Sequence, residues 1–271
     1  MRELERELPA TTAAPEADPA SLAIVGAGRV GRSIAVALGA TGAEVRLLGR
    51  GEAAGRADAA LLCVPDGSIA AAAEAIAAAS EVPRFVGHTS GASGLGVLAA
   101  ATEAGAATFS VHPLQTFPDG VTDLSGCPCA ISGSGREALE FARALAERLG
   151  MRPFEVDERS RAAYHAAASI ASNFLVALEE SAAGLLARAG VDEPRELLTP
   201  LVLRAAANWA ELGPQALTGP IARGDSETVR RHLIALREHA PELIGLYEAL
   251  AERARATAAP QAPERAGAAP R

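Results

Sequence analysis

The chain has 271 residues, with 25 Lys+Arg against 33 Asp+Glu, a formal net charge of −8. That length accommodates one or two domains, and the acidic balance argues against a sequence-independent nucleic-acid binder, which needs a basic surface. Hydrophobic residues make up 49% and charged residues 21%, too apolar for general disorder, and the 3% of aromatics leaves little for base or sugar stacking.

The first twenty residues, MRELERELPATTAAPEADPA, are charged and rich in Pro and Ala. They lack the apolar stretch of a secretory signal. Residues 1–20 and 257–271 read as disordered tails. The apolar run Ala70 to Ser80 is short and interrupted by Glu74. No charge-free, strongly apolar run of about 18 residues occurs, so no membrane span is expected. Cys63, Cys127 and Cys129 are odd in number and lie in apolar runs, which suits core thiols in a reducing cytoplasm better than a disulfide scaffold.

Between the tails the chain changes character once. From residue 21 to 157, short apolar runs alternate with Gly turns and Ala-rich helical stretches. Strands are expected at 22–26, 44–48, 59–64, 84–88, 107–111, 128–132 and 152–156, and helices at 29–41, 68–79, 94–104 and 135–149. That alternation is the pattern of an α/β, doubly wound parallel sheet. From 158 to 256 the pattern is all helical, over 158–188, 193–211, 214–219 and 225–255, with breaks at Gly190, Pro194, Gly213-Pro214 and Gly219-Pro220.

The first strand runs into Gly26-Ala27-Gly28-Arg29-Val30-Gly31 and then an apolar helix. This is G-x-G-x-x-G in the context it requires. Gly26 makes the tight turn, Gly28 admits a pyrophosphate to the backbone, and Gly31 lets helix and strand pack closely. The helix N-terminus, with Arg29 and Val30 in its first turn, offers N–H groups to the phosphates. The second strand ends Leu47-Leu48-Gly49-Arg50, with no acid at the strand end and Glu52 in the loop beyond. Arg50 suits a 2′-phosphate, so NADP(H) is the expected cofactor. Val64-Pro65-Asp66 closes the next strand, where the chain would pass the cofactor.

GAGRVG (26–31), LLCVPD (61–66), GHTSG (87–91), SVHPLQTF (110–117), YHAAASIASN (164–173) and LTGPIARGD (217–225) together carry a resemblance. The chain resembles a family of bacterial proteins that join a Rossmann-like domain to a C-terminal helical domain of unknown function (2520 family). The resemblance spans about 20–256. Wider relatives include pyrroline-5-carboxylate reductase, β-hydroxyacid dehydrogenase, ketopantoate reductase and prephenate dehydrogenase. The resemblance implies a reductase that pairs into a homodimer through its helical domain.

Hydride transfer to a carbonyl leaves an oxyanion that needs a proton. Several of the wider relatives use a Lys and an Asn one turn apart on the first long helix of the second domain. This sequence departs from them, with His165, Ser169 and Asn173 at spacings of four and no Lys. On one helix these three would share a face. His88 and His112 fall at strand ends, where a doubly wound sheet binds its ligand. Prephenate dehydrogenases carry a His-Pro at a comparable place, which makes His112 a second candidate acid beside His165. Ser90 is a candidate to orient substrate, together with Asn173. His88, Ser169, Arg204 and Arg223 are candidate substrate contacts, the arginines for a carboxylate; Asp225 reads as a helix N-cap. No metal-ligand spacing is present. The reading is an NADPH-dependent reductase of a small carbonyl compound, a 2-keto acid with ketopantoate named first, with prephenate-type oxidation, imine reduction or non-catalytic NADP binding as alternatives.

Overall fold

The computed structural model describes residues 21–49, 52, 55–118 and 120–258. The terminal segments and Arg50 lie outside them. The chain divides into two compact units, residues up to 170 and from 171 onward.

In the first unit all seven expected strands form: β1 (Ser21–Val25), β2 (Glu44–Leu48), β3 (Ala59–Leu62), β4 (Phe85–His88), β5 (Ala107–Pro113), β6 (Pro128–Gly133) and β7 (Arg152–Glu155). They make one sheet in the order β2-β1-β3-β4-β5-β6-β7. The helices are α1 (Arg29–Gly39), α2 (Ile69–Ala77), α3 (Ala99–Glu103) and α4 (Arg136–Arg148). Strand residues alternate between two cores, as the period of two requires. Leu61 and Phe85 join Ile34 and Leu38 of α1 and Phe141 and Leu145 of α4 on one face. Leu62 and Val86 join Ile69 and Ala73 of α2 and Leu98 and Ala101 on the other. Phe85 and Phe141 stack at 4.1 Å between ring centroids, and Phe109 meets Phe141 edge-on. Gly87 leaves room for the Phe109 ring, which any Cβ there would overlap.

One feature of the expected sheet is corrected. β1 to β5 are parallel, but β6 pairs antiparallel to β5, and β7 follows β6 in parallel. The reason lies in the connection. A parallel neighbour needs a crossover, usually a helix, and the described residues of 114–127 contain none. After β6 the helix α4 returns, so β6-α4-β7 is again a parallel unit.

The helix α5 (Arg161–Ala171) was expected to open the helical region, yet up to Ile170 it belongs to the sheet unit. Arg161 explains this. It is 1% exposed, and its guanidinium donates to Ser110 Oγ at 2.8 Å, to Ser132 Oγ, and to the Glu158 carboxylate at 3.2 Å. Glu158 also accepts from Ser132 Oγ and the Leu95 N–H. The start of α5 is thereby fixed to β5 and β6.

The second unit holds α6 (Asn173–Arg188), α7 (Pro194–Leu212), α8 (Ser226–His239) and α9 (Ile244–Ala258). The expected helix 158–188 is interrupted at Ser172, whose backbone leaves helical geometry. The expected helix 225–255 is divided at Ala240-Pro241, because Pro cannot donate inside a helix. Asp225 is the N-cap of α8 as read from sequence, accepting from the Thr228 N–H at 3.0 Å. One stretch of the described residues, Glu158–Arg188, is long and apolar enough to cross a membrane by length and composition, with a mean hydropathy of 1.3 in its best window. It includes the break at Ser172 and the buried Arg161, so its first part is tied to the sheet rather than available to lipid.

Candidate active site

The C-terminal edge of the parallel strands carries two groups of residues. The first is the Gly-rich turn after β1. Gly26 sits at φ +114°, and a Cβ there would overlap the Cys63 carbonyl oxygen. A Cβ on Gly31 would overlap the Gly26 carbonyl oxygen, so strand and helix approach as closely as the motif requires. Gly28 differs: a Cβ there would meet nothing within 4 Å. It is the N-cap of α1, makes no side-chain cap, and is followed by no acidic residue in the first turn. Open space before an uncapped helix N-terminus is what a pyrophosphate needs.

Around this turn, three sequence expectations acquire detail. The Arg29 side chain donates to the Pro118 carbonyl at 2.6 Å, so it is committed to the β5–β6 loop and its place at the turn is a backbone one. Ser33 of α1 accepts from the Thr122 N–H at 2.9 Å and fastens the same loop. Val30 and Val64 are partly buried against the two cores, while Pro65 and Asp66 are exposed at the start of a short 3-10 helix, Asp66–Ser68. The expectation that no acid reaches the end of β2 is corrected. Glu52 folds back from the loop, and its carboxylate accepts from the Gly49 N–H at 2.5 Å, a donor left free where the strand stops pairing.

The second group is a cluster of three histidines, two of them at strand ends. His88, at the end of β4, is 0% exposed. Its Nδ1 accepts from the Ser90 N–H at 3.2 Å, which puts its proton on Nε2, and Nε2 has no partner among the described residues. Burial, then the Arg161 charge, lowers its pKa to about 4. Ser90 is a turn residue: its Oγ accepts from the N–H groups of Ala92 at 3.2 Å and Ser93 at 2.9 Å, leaving only its hydroxyl proton to give.

His112, near the end of β5, bonds through Nδ1 to the Tyr164 hydroxyl at 2.6 Å, with the two rings nearly perpendicular. Its ring lies 6.1 Å from that of His165. A Cβ on Gly91 would stand 2.7 Å from both rings, so the turn after β4 must be glycine for the imidazoles to close over it. Burial first, then His165 and Arg161, lowers the His112 pKa to about 4. Burial raises the Tyr164 phenol to about 12. At neutral pH the pair is therefore a neutral imidazole beside a neutral phenol.

His88, Ser90, His112 and His165 are thus brought together in the sheet unit, with Ser169 one turn beyond His165 on α5. Asn173 begins α6 in the other unit, past the break at Ser172, so the stripe at spacings of four is not carried by one helix. Arg204 and Arg223 are exposed in the second unit. Sequence reasoning missed Arg161 and Tyr164. Both precede His165 in one Ala-rich helix, and Arg161 stands four residues before it, a helical neighbour that could have been noticed. The thiols of Cys63 and Cys129 are pushed up by burial to about 12, in keeping with core residues. Among the described residues no group of three or more His, Cys, Asp or Glu side chains could hold a metal.

Residues 43–113 match a Rossmann-like domain, and residues 127–254 match DUF2520, a domain of unknown function. The chain joins a Rossmann-like domain to a DUF2520 domain. Among solved structures it is similar to a candidate NADP oxidoreductase from Bacteroides fragilis, at 24% identity over 89% of this chain and 99% of that one, with a TM-score of 0.74. A Thermotoga maritima protein shares 23% identity over 88% and 98% of the two chains, with a TM-score of 0.71. A reductive aminase from Aspergillus terreus, solved with NADPH and ethyl levulinate, shares 18% identity over 88% and 94%, with a TM-score of 0.63. These likenesses are of fold. No curated protein matches the chain.

Proposed function

We propose that the chain is an NADP(H)-dependent oxidoreductase that reduces a small carbonyl compound, a 2-keto acid in the first instance, with ketopantoate to pantoate as the reaction to try first. The observation that carries this reading is the placing of two complementary devices along one sheet edge: an open, uncapped Gly-rich turn and a neutral His112 joined to Tyr164. The turn accepts a pyrophosphate through the first N–H groups of α1, and Gly28 is the cradle that a side chain would fill. Bound there, the reduced cofactor supplies a hydride. The chain's own part is to hold the carbonyl carbon near that donor and to hydrogen-bond its oxygen. His112 or His165 gives that oxygen its proton as negative charge develops. Ser90 has one hydroxyl proton left with which to orient the substrate.

Imine reduction is the second reading. A reductive aminase shares the fold, and the acid required is the same, since an imine also gains one hydride and one proton. The exposed apolar side chains of the helical unit, among them Leu201, Leu203 and Trp209, support a homodimer formed through that unit.

The test is NADPH oxidation by the purified full chain against a panel of small 2-keto acids headed by ketopantoate, with a cyclic imine and prephenate plus NADP+ alongside. Turnover of a keto acid supports the first reading, and turnover of the imine alone moves the assignment to the second. Tight NADPH binding with silence across the panel would overturn both in favour of a non-catalytic binder.

A further inference from the structure

The hydrogen bond between His112 Nδ1 and Tyr164 Oη, 2.6 Å long, decides which way the imidazole faces. One of the two groups must donate. A phenol has a single hydrogen, and among the described residues Nδ1 is its one hydrogen-bond partner. If Nδ1 were the donor, the phenolic hydrogen would need an acceptor other than His112. With the hydroxyl as donor and Nδ1 as acceptor, the His112 proton sits on Nε2. The Nε2–Cε1 side of the ring lies beside Gly91, where a Cβ would come within 2.7 Å of it and of the His165 ring.

We propose that Tyr164 is a positioning residue that holds His112 in the Nε2–H tautomer and passes its own proton to Nδ1 as Nε2 gives one up. The proposal rests on the reductase reading for its second half and on the hydrogen bond alone for its first. The carbonyl carbon accepts the hydride, with its two electrons, from the reduced nicotinamide. The Nε2–H bond of His112 breaks, and an O–H bond forms on the substrate oxygen. The Tyr164 O–H bond breaks and an N–H bond forms at Nδ1. His112 ends neutral, in its other tautomer, and no imidazolate is formed. The negative charge comes to rest on the Tyr164 oxygen, and the resting state returns when Nε2 takes a proton from water, the Nδ1 proton passes back to that oxygen and hydroxide leaves.

The charged and titratable groups acting on His112 are Arg161 and His165 of α5, His88 of β4, and Asp66 after β3. The buried Arg161 opposes protonation of His112, so an imidazolium is not the resting acid. Burial, which raises the Tyr164 phenol, opposes the tyrosinate, and the same guanidinium offsets part of that.

The experiment is a long-range 1H–15N correlation spectrum of the uniformly labelled full chain near neutral pH, with the His112 signals assigned by their loss in His112→Asn. The expected result is a pyrrole-type Nε2 and a pyridine-type Nδ1 in the wild type, and a mixture of tautomers in Tyr164→Phe. A wild-type Nδ1–H tautomer, or a tautomer unchanged in Tyr164→Phe, would overturn the proposal. On a substrate found by the panel, Tyr164→Phe should lower kcat about tenfold or more with KM for NADPH within about twofold. Should Tyr164→Phe fail to fold, fluorotyrosine can be incorporated instead. The chain has only two tyrosines, so a Tyr247→Phe background confines the label to position 164. The more acidic phenol should then move the alkaline limb of kcat downward in pH, and an unmoved limb would sink the relay. If the wild type turns nothing over, the relay falls with the reductase reading, while the tautomer result stands or falls by itself.

Discussion

The sheet unit and the helical unit draw on similar Ala-rich sequence and bury it very differently. In the sheet unit, Ile24, Leu61, Leu62, Phe109 and Phe141 are all but inaccessible, and helices close over both faces. In the helical unit, α7 has no buried residue, and Leu203 and Trp209 on it are 66% and 69% exposed. Only small or isolated side chains such as Ala183, Leu236 and Ala251 are buried there. A sheet with alternating faces makes its own interior. Helices rich in alanine bury little area per residue, and their larger apolar side chains are left for another surface to cover. The sheet unit therefore builds its own interior around the candidate site, whereas the helical unit leaves large apolar side chains exposed.

The sharpest way to break this contrast is to delete one large side chain from each unit. Phe109→Ala should cost about 3–5 kcal/mol, read as a fall in the denaturant midpoint, because Phe109 fills the space between Gly87 and Phe141. A loss below about 1 kcal/mol would mean that the sheet core is not packed as described. Next comes pH. The fold holds His88 neutral with a pKa near 4, against 6.5 for an ordinary histidine. Its contribution to stability is therefore full above about pH 6.5 and is lost as the pH falls toward 4, by roughly 2–3 kcal/mol. Asn at position 88 keeps an acceptor for the Ser90 N–H and removes the titration. His88→Asn should thus flatten the decline of Tm between neutral and acid pH, and an unchanged slope would show that His88 is already protonated or exposed. The smallest effect on folding is expected from Trp209→Glu, within about 0.5 kcal/mol for the isolated chain. Its consequence should appear instead as a halved mass in light scattering, and a monomeric wild type would remove the need for a covering partner.

How far the sequence could be read depended on whether a residue's role was local. The Gly-rich turn was readable because its demands are backbone demands: Gly26 at positive φ and Gly31 against a carbonyl. The seven strands were readable from apolar runs between turns. The antiparallel β6 was readable in principle, since no helix lies between residues 113 and 128, but the α/β rhythm on either side concealed it. Histidines 88 and 112 were legible as strand-end residues, and the structure has them at the ends of β4 and β5. Tyr164 and Arg161 were not, because their importance comes from partners far away in sequence: His112 for one, Ser110 and Ser132 for the other. The same long-range contacts moved α5 into the sheet unit, which no helical periodicity announces. Glu52 likewise lies in a loop by sequence and at the strand end only by its hydrogen bond to Gly49.

The measurement that tests the account most directly is NADPH binding to the wild type and to Gly28→Asp, by calorimetric titration with Tm measured in parallel. Nothing stands within 4 Å of a Cβ at Gly28, and the residue is the N-cap of α1. Aspartate is a preferred N-cap, so the fold should be unharmed or slightly stabilised. The same carboxylate would occupy the phosphate cradle with a negative charge. The account predicts that NADPH binds the wild type and that Gly28→Asp weakens it about a hundredfold or more while Tm holds or rises. Equal binding by both proteins, or none by the wild type, would contradict it.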